Sequence, residues 1–350
     1  MAASQVNTSG PSRRIGYIDA LRGFTMFLVV VGHVAALCWQ LGPSTPSFHH
    51  YLSQLRMPLF FFISGFVLYK AEVVWNWRQI VRFFKKKIPV QLISPFIFFV
   101  LFLHVSHIPM FNGFIDKTKM GYWFTFVLLE YYVFYAAVRF TVRDQRWSAA
   151  VLLAMGLFMY AVCWPTMTVH NQRADNVLAL ISAHQWRFFL FFTLGTLAKR
   201  HFGKVEHLLD SKWLLPLCIV LFFLVNALSD ILPVKSVPIK GLLALTGVVI
   251  TFAFFRRKQA WFSRQTRLGR TMQYVGRHTL DIYLIHFFLL PRYLSEFTLL
   301  RDHPMPVIEF FVSSVIAVMI IAVCLLISNI IRLSPFLARF LFGAKTPIQT

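Results

Sequence analysis

The sequence predicts an all-α integral membrane protein of about ten transmembrane helices, with N- and C-termini in the cytoplasm. Three observations predict it. First, of 350 residues, 57% are hydrophobic, 17% aromatic and only 14% charged. A soluble domain carries about 45–50% apolar and about 25% charged residues, because its surface needs polar cover. Second, the apolar residues fall in runs of the length, about 20 residues, that a helix needs to cross a bilayer. Third, the formal net charge of +22 is sorted by loop, as membrane topology requires. A soluble nucleic-acid binder is thereby excluded as the source of the basic composition.

The ten runs are Tyr17–Leu41, Met57–Glu72, Ile88–Val105, Tyr122–Phe140, Ser148–Pro165, Gln185–Ala198, Trp213–Leu232, Ile239–Phe255, Thr279–Leu300 and Val307–Ile331. The second and sixth are short and aromatic-rich. The first is too long for a signal-peptide core and reads as a retained anchor. Residues 1–14 form an N-terminal tail, 15–335 one transmembrane domain and 336–350 a C-terminal tail, with no repeat or linker between them. With the N-terminus inside, 26 of the 35 Lys and Arg residues lie in inside segments. Arg56, Lys117, Lys119, Arg173, Arg187, Lys235, Lys240, Arg292 and Arg301 are the nine outside. Two inside clusters exceed what topology needs: Arg82/Lys85/Lys86/Lys87 entering the third span, and seven cations between the eighth and ninth. Either suits anionic lipid head groups or a cytosolic polyphosphate ligand.

Cys38, Cys163, Cys218 and Cys324 lie far apart without a C-x-x-C, so they read as small buried hydrophobes rather than a disulfide framework or zinc site. His104 and His107 lack a third ligand, and no metal is expected. Asn7-Thr8-Ser9 matches a glycosylation acceptor but faces the cytosol on this topology.

An ionisable side chain inside a span is costly and marks function by default. The first span has three: Asp19, Arg22 and His33. Their spacings of three and eleven residues approximate whole turns, so they share one stripe, with His33 about 16 Å deeper than Arg22. A neutral imidazole at that depth is suited to accept a proton. Glu130, followed by Tyr131, lies in the fourth span, where an unpaired carboxylate finds a donor or a proton. Asp281 and His286 lie in the ninth with Tyr283, Asp281 close enough to the inside to pair with a basic residue. In the second, Ser64-Gly65 permits close helix approach.

Ile18-Asp19-Ala20-Leu21-Arg22-Gly23, followed by His33, resembles the opening signature of the integral-membrane acyltransferase 3 family, whose pattern is Arg, ten residues, then His. Four further segments are similar to the family's in order: Arg56–Gly65, the basic entry ending Gln91-Leu92-Ile93-Ser94-Pro95, Tyr122-Trp123-Phe124, and Thr279–His286. Gln91 stands where an Arg is common, and lysines stand where the family often has arginines at the third span's entry. The resemblance implies transfer of an acyl group, usually acetyl, from cytosolic acyl-CoA to a hydroxyl of a cell-surface glycan or glycolipid, in a bacterial inner membrane. It implies His33, Arg22 and Asp19 as the catalytic set, with His33 as base, Arg22 orienting donor or charge, and Asp19 holding Arg22. Arg82, Lys85, Lys86 and Lys87 would hold acetyl-CoA, and Ser64, Glu130, Tyr131, Tyr283 and His286 would support acceptor or site. A transporter or flippase would also place polar groups at the midplane; inverted repeats, frequent in transporters, are not evident in this sequence.

Overall fold

A computed structural model describes residues 15–41, 47–71, 73–163, 172–231, 237–296, 302–303 and 305–343. The expected tail 1–14, its Asn7-Thr8-Ser9 and most of the tail after 343 lie outside them. Among the described residues every regular element is a helix, as lipid requires of backbone that must bond within its own segment. In chain order they are α1 (Gly16–His33), α2 (Phe48–Leu68), α3 (Trp77–Ile88), α4 (Ser94–Val105), α5 (Met110–Ile115), α6 (Trp123–Thr141), α7 (Gln145–Cys163) and α8 (Gln172–Leu180). Then follow α9 (Phe189–Arg200), α10 (Phe202–Asp210), α11 (Leu214–Ile231), α12 (Val237–Arg257), α13 (Arg267–Arg277), α14 (Thr279–Ile285), α15 (Pro306–Ile331) and α16 (Pro335–Phe342). A π-helical turn, Val34–Cys38, extends α1, and another, Pro89–Ile93, joins α3 to α4.

Six of these units are long and apolar enough to cross a membrane, or up to eight if each of two bent pairs is one span. The pairs are Arg173–Leu180 with Ala183–Arg200, bent by 54°, and Phe202–Asp210 with Leu214–Leu228, bent by 78°. The first bend falls at Ser182, whose φ of 53° is left-handed and cannot continue a helix. The expected second and ninth spans are shorter apolar helices, Leu52–Leu68 and Thr279–Phe288. Outward side chains are apolar: Phe158, Val220 and Leu326 are each at least 60% exposed, an arrangement that water disfavours and hydrocarbon suits. This is a helical membrane protein.

Three expected boundaries move. Helix α2 starts at Phe48, not Met57, so Arg56 lies inside a helix instead of in an outside loop. Helix α3 starts at Trp77, where the Asn76 side chain accepts from Gln79 N–H at 2.9 Å, so the basic cluster is helical. At the start of the expected C-terminal tail, Pro335–Phe342 form the short helix α16, whose Ala338 and Phe342 are buried.

Two glycine crossings set the packing around the site. A Cβ on Gly65 would lie 1.9 Å from the Phe192 carbonyl oxygen, and one on Gly195 2.0 Å from that of Phe62, so α2 and α9 touch backbone to backbone. Likewise Gly23 of α1 faces Met272 at 2.2 Å and Gly276 of α13 faces Asp19 at 1.8 Å. Only glycine permits such approach. The four cysteines are buried and free, as the sequence predicts. Asp281 is held by Arg332 (Nη2 donates at 2.8 Å), Ser328 and His278, which makes it a cross-link between α14 and α15.

Candidate active site

A cavity of about 480 Å³ opens between α2, α3, α6 and α14. Lys70, Arg82, Lys86 and Lys87 line its α2–α3 side, and Arg22, Thr125, Thr279 and Tyr283 line its floor, where α1, α6 and α14 meet. Helical phase explains the α3 wall. Gln79, Arg82, Phe83, Lys86 and Lys87 recur at steps of three and four, one face of a 3.6-residue helix. Lys85 falls off that face and is exposed away from the cavity, which corrects its expected place among the donor-binding cations. Lys87 is steered inward: its ammonium lies 4.7 Å from the centre of the Tyr132 ring and 5.7 Å from that of Phe83. The α6 wall runs from Tyr135 to Phe124, eleven residues or about 16 Å of helix. That is about half of the ~30 Å hydrocarbon thickness.

At that floor the Gly23–Gly276 crossing brings Arg22 to α14, where its Nη2 donates to Thr279 Oγ1 at 3.1 Å. The Tyr283 hydroxyl donates to the Gly121 carbonyl at 3.0 Å and accepts Phe124 N–H at 3.2 Å, closing the first turn of α6. Ser64 lines the wall, its hydroxyl donating to the Phe60 carbonyl at 2.8 Å.

His33 lies beyond this floor. Its ring centre is 5.4 Å from that of His286 and 4.9 Å from Phe287, while His286 is 6.2 Å from Tyr283. His33 therefore does not line the cavity; the Tyr283 and His286 rings stand between them. His286 is fully buried and its Nδ1 meets the carbonyls of Tyr283 (2.9 Å) and Ile282 (3.0 Å). The hydrogen-bond pattern assigns the proton to Nδ1, leaving Nε2, which has no partner among the described residues, as an acceptor lone pair.

Other expected roles change. Asp19 is buried on α1, but among the described residues no ion pair joins it to Arg22, which Thr279 holds. Its backbone carbonyl faces Gly276 at the helix crossing. Glu130 accepts from Trp186 Nε1 at 2.8 Å and Tyr131 donates to the Gln185 carbonyl at 2.7 Å. Both tie α6 to the turn 183–188 and neither lines the cavity. Beside them, the buried Lys119 donates to the carbonyls of Ala179 (2.8 Å) and Phe114 (3.2 Å). Burial pushes its ammonium below the ordinary pKa, against the pull of Glu130 and Asp116. His107 has left the helix at a φ of 53° and does not share a face with His104.

Sequence reading missed Thr125, a small hydroxyl that blends into an apolar run, and gave no role to Thr279 and Arg56, which it named only as the first residues of two segments similar to the family's.

Comparison with curated proteins and with solved structures returned no match. A family model described as an acyltransferase domain matches residues 15–328. Nearly the whole chain, from the first turn of α1 into α15, thus belongs to the acyltransferase 3 family of membrane acyltransferases.

Proposed function

We propose that the protein moves an acetyl or similar acyl group from cytosolic acyl-CoA to a hydroxyl of a cell-surface glycan or glycolipid precursor. The cavity carries this reading: a cationic mouth leading to a narrow, mostly apolar interior that ends near the midplane. Acyl-CoA has the matching shape, a nucleotide with several phosphate charges on a slender pantetheine arm. Lys70, Arg82, Lys86 and Lys87 supply charge for the phosphates. Gln91 Oε1, a buried acceptor without a partner on the wall, suits an amide N–H of the arm. The positive-inside distribution puts that mouth and both termini in the cytosol, with ten crossings when each bent pair and each shorter apolar helix spans. A bacterial inner membrane is the setting the family favours.

Arg22 steers the arm at the floor. His33, beyond the Tyr283 and His286 rings, takes the acceptor's proton once the thioester has passed both side chains. A flippase reading draws on the two bent pairs, since broken helices recur in transporters. Those pairs are consecutive in the chain, however, and contribute nothing to the cavity wall.

The test is incubation of membranes containing the protein with radiolabelled acetyl-CoA. Label is expected in a glycan or lipid fraction and absent from membranes without the protein. An R82Q/K86Q variant is expected to raise KM for acetyl-CoA about tenfold or more, each lost phosphate contact being worth about 1 kcal/mol, with kcat kept. Absence of label in every fraction contradicts the proposal.

A further inference from the structure

The catalytic constellation inferred above lacks one part. Acyl transfer places negative charge on the thioester carbonyl oxygen, and an enzyme gains most by aiming fixed donors at it. Arg22 is badly placed for that. It stands eleven residues before His33, about 16 Å of helix, and is tethered to Thr279.

A different guanidinium lies at the depth of His33. Arg56 of α2 packs onto α1 at Gly32, the residue before His33, and a Cβ on Gly32 would lie 1.4 Å from Arg56 Nη1 and 2.7 Å from its Cζ. Gly32 is thus the recess that the guanidinium fills. Nη1 is buried and has no hydrogen-bond partner, and among the described residues no ion pair engages Arg56. A buried cation with a free donor is costly where it stands. What offsets the cost is an anion that arrives during turnover.

We propose that Arg56 is a catalytic residue whose Nη1–H donates to the carbonyl oxygen as it gains charge, a proposal that rests on the acyl-transfer reading. His33 takes the proton of the acceptor hydroxyl while that oxygen bonds to the thioester carbon. The carbonyl π pair moves onto oxygen, where Arg56 meets it. When the carbonyl re-forms, the C–S bond breaks and its electron pair leaves on the CoA sulfur. Protonated His33 then returns its proton to that thiolate, giving ester and free thiol with both side chains restored.

The test uses full-length protein in lipid nanodiscs, titrated with CoA and with trifluoroacetonyl-CoA, whose hydrated ketone presents a tetrahedral oxygen. R56Q is expected to bind CoA within about threefold of wild type. It should bind the trifluoroketone about 10²- to 10³-fold more weakly. In membranes with radiolabelled acetyl-CoA it should lose a similar factor in kcat at little-changed KM. R56K, a point charge without the planar fork, is expected to recover part of both. Because it removes an unpaired buried charge, R56Q should not lower the melting temperature; a structural arginine would. Should R56Q fail to fold, R56K decides: wild-type kcat and ketone selectivity in it overturn the proposal, as they do in R56Q. If wild type binds neither ligand, the acyl-transfer reading itself has failed. If wild type binds both and R56Q keeps its preference for the ketone, only the role of Arg56 has.

Discussion

His33→Ala is expected to cut acyl transfer about 10²- to 10⁴-fold, the span of general-base catalysis, with acetyl-CoA binding and melting temperature close to wild type. The expectation follows from what the ring touches. His33 is only part-buried and meets the His286 and Phe287 rings at tilted angles, so its removal is expected to leave helix packing in place. The donor cavity does not include it, which is why binding should survive. Scintillation counting of labelled product gives the rate and fluorescence-monitored melting gives the stability. A transporter would respond otherwise: flux would fall while the amount of acylated product stayed constant. Loss of binding together with rate would move His33 from chemistry to architecture.

Gly276→Ala is expected to be nearly as damaging by a different route. The new methyl carbon would sit 1.8 Å from the Asp19 carbonyl oxygen and 3.1 Å from Gly23 N, against backbone that has no rotamer to yield. Helices α1 and α13 must separate, and overpacking of this kind costs about 1–3 kcal/mol. The same movement draws Arg22 away from Thr279, so KM for acetyl-CoA should rise along with the drop in melting temperature. Gly203→Ala is the control. Nothing lies within 4 Å of the Cβ it adds, and alanine favours the helix by up to about 1 kcal/mol. Equal behaviour of the two variants would remove the crossing from the account.

The sequence carried the class of fold because lipid leaves so little choice: long apolar runs must be helices, and their cations must sort by side. It carried the first helix's Asp-Arg-His spacing for the same geometric reason, and the stripe does face α13, α14 and the turn after them. What it hid was depth and phase. A run of three lysines looks uniform, yet one turns away from the cavity while its neighbours point in. Arg56 was hidden because α2 begins in the polar stretch from Phe48, which hydropathy assigns to a loop. The helices before the two bends, α8 and α10, were hidden because QRADNVLAL and FGKVEHLLD are too polar to extend the apolar runs that begin at Gln185 and Trp213. Glu130 shows the other outcome: the donor the sequence reading expects for a membrane carboxylate is the Trp186 indole N–H. Burial cost alone marks a polar group as purposeful; its partner decides the purpose.

The tilt of Tyr283 over the floor links structure to turnover. Its hydroxyl is engaged on both sides by the start of α6, so on the proposed acyl-transfer route a thioester would reach His33 by breaking those two hydrogen bonds.

One measurement bears most directly on the whole account: an electron cryo-microscopy map of the protein in nanodiscs with a non-hydrolysable acetyl-CoA thioether. Density for the phosphates is expected among Arg82, Lys86 and Lys87, with the pantetheine arm passing Arg22, the Tyr283 ring swung aside and the sulfur beyond it, beside His33. Nucleotide density seated on the other basic surface, around Arg264, Arg270 and Arg277, with the cavity empty, would contradict it.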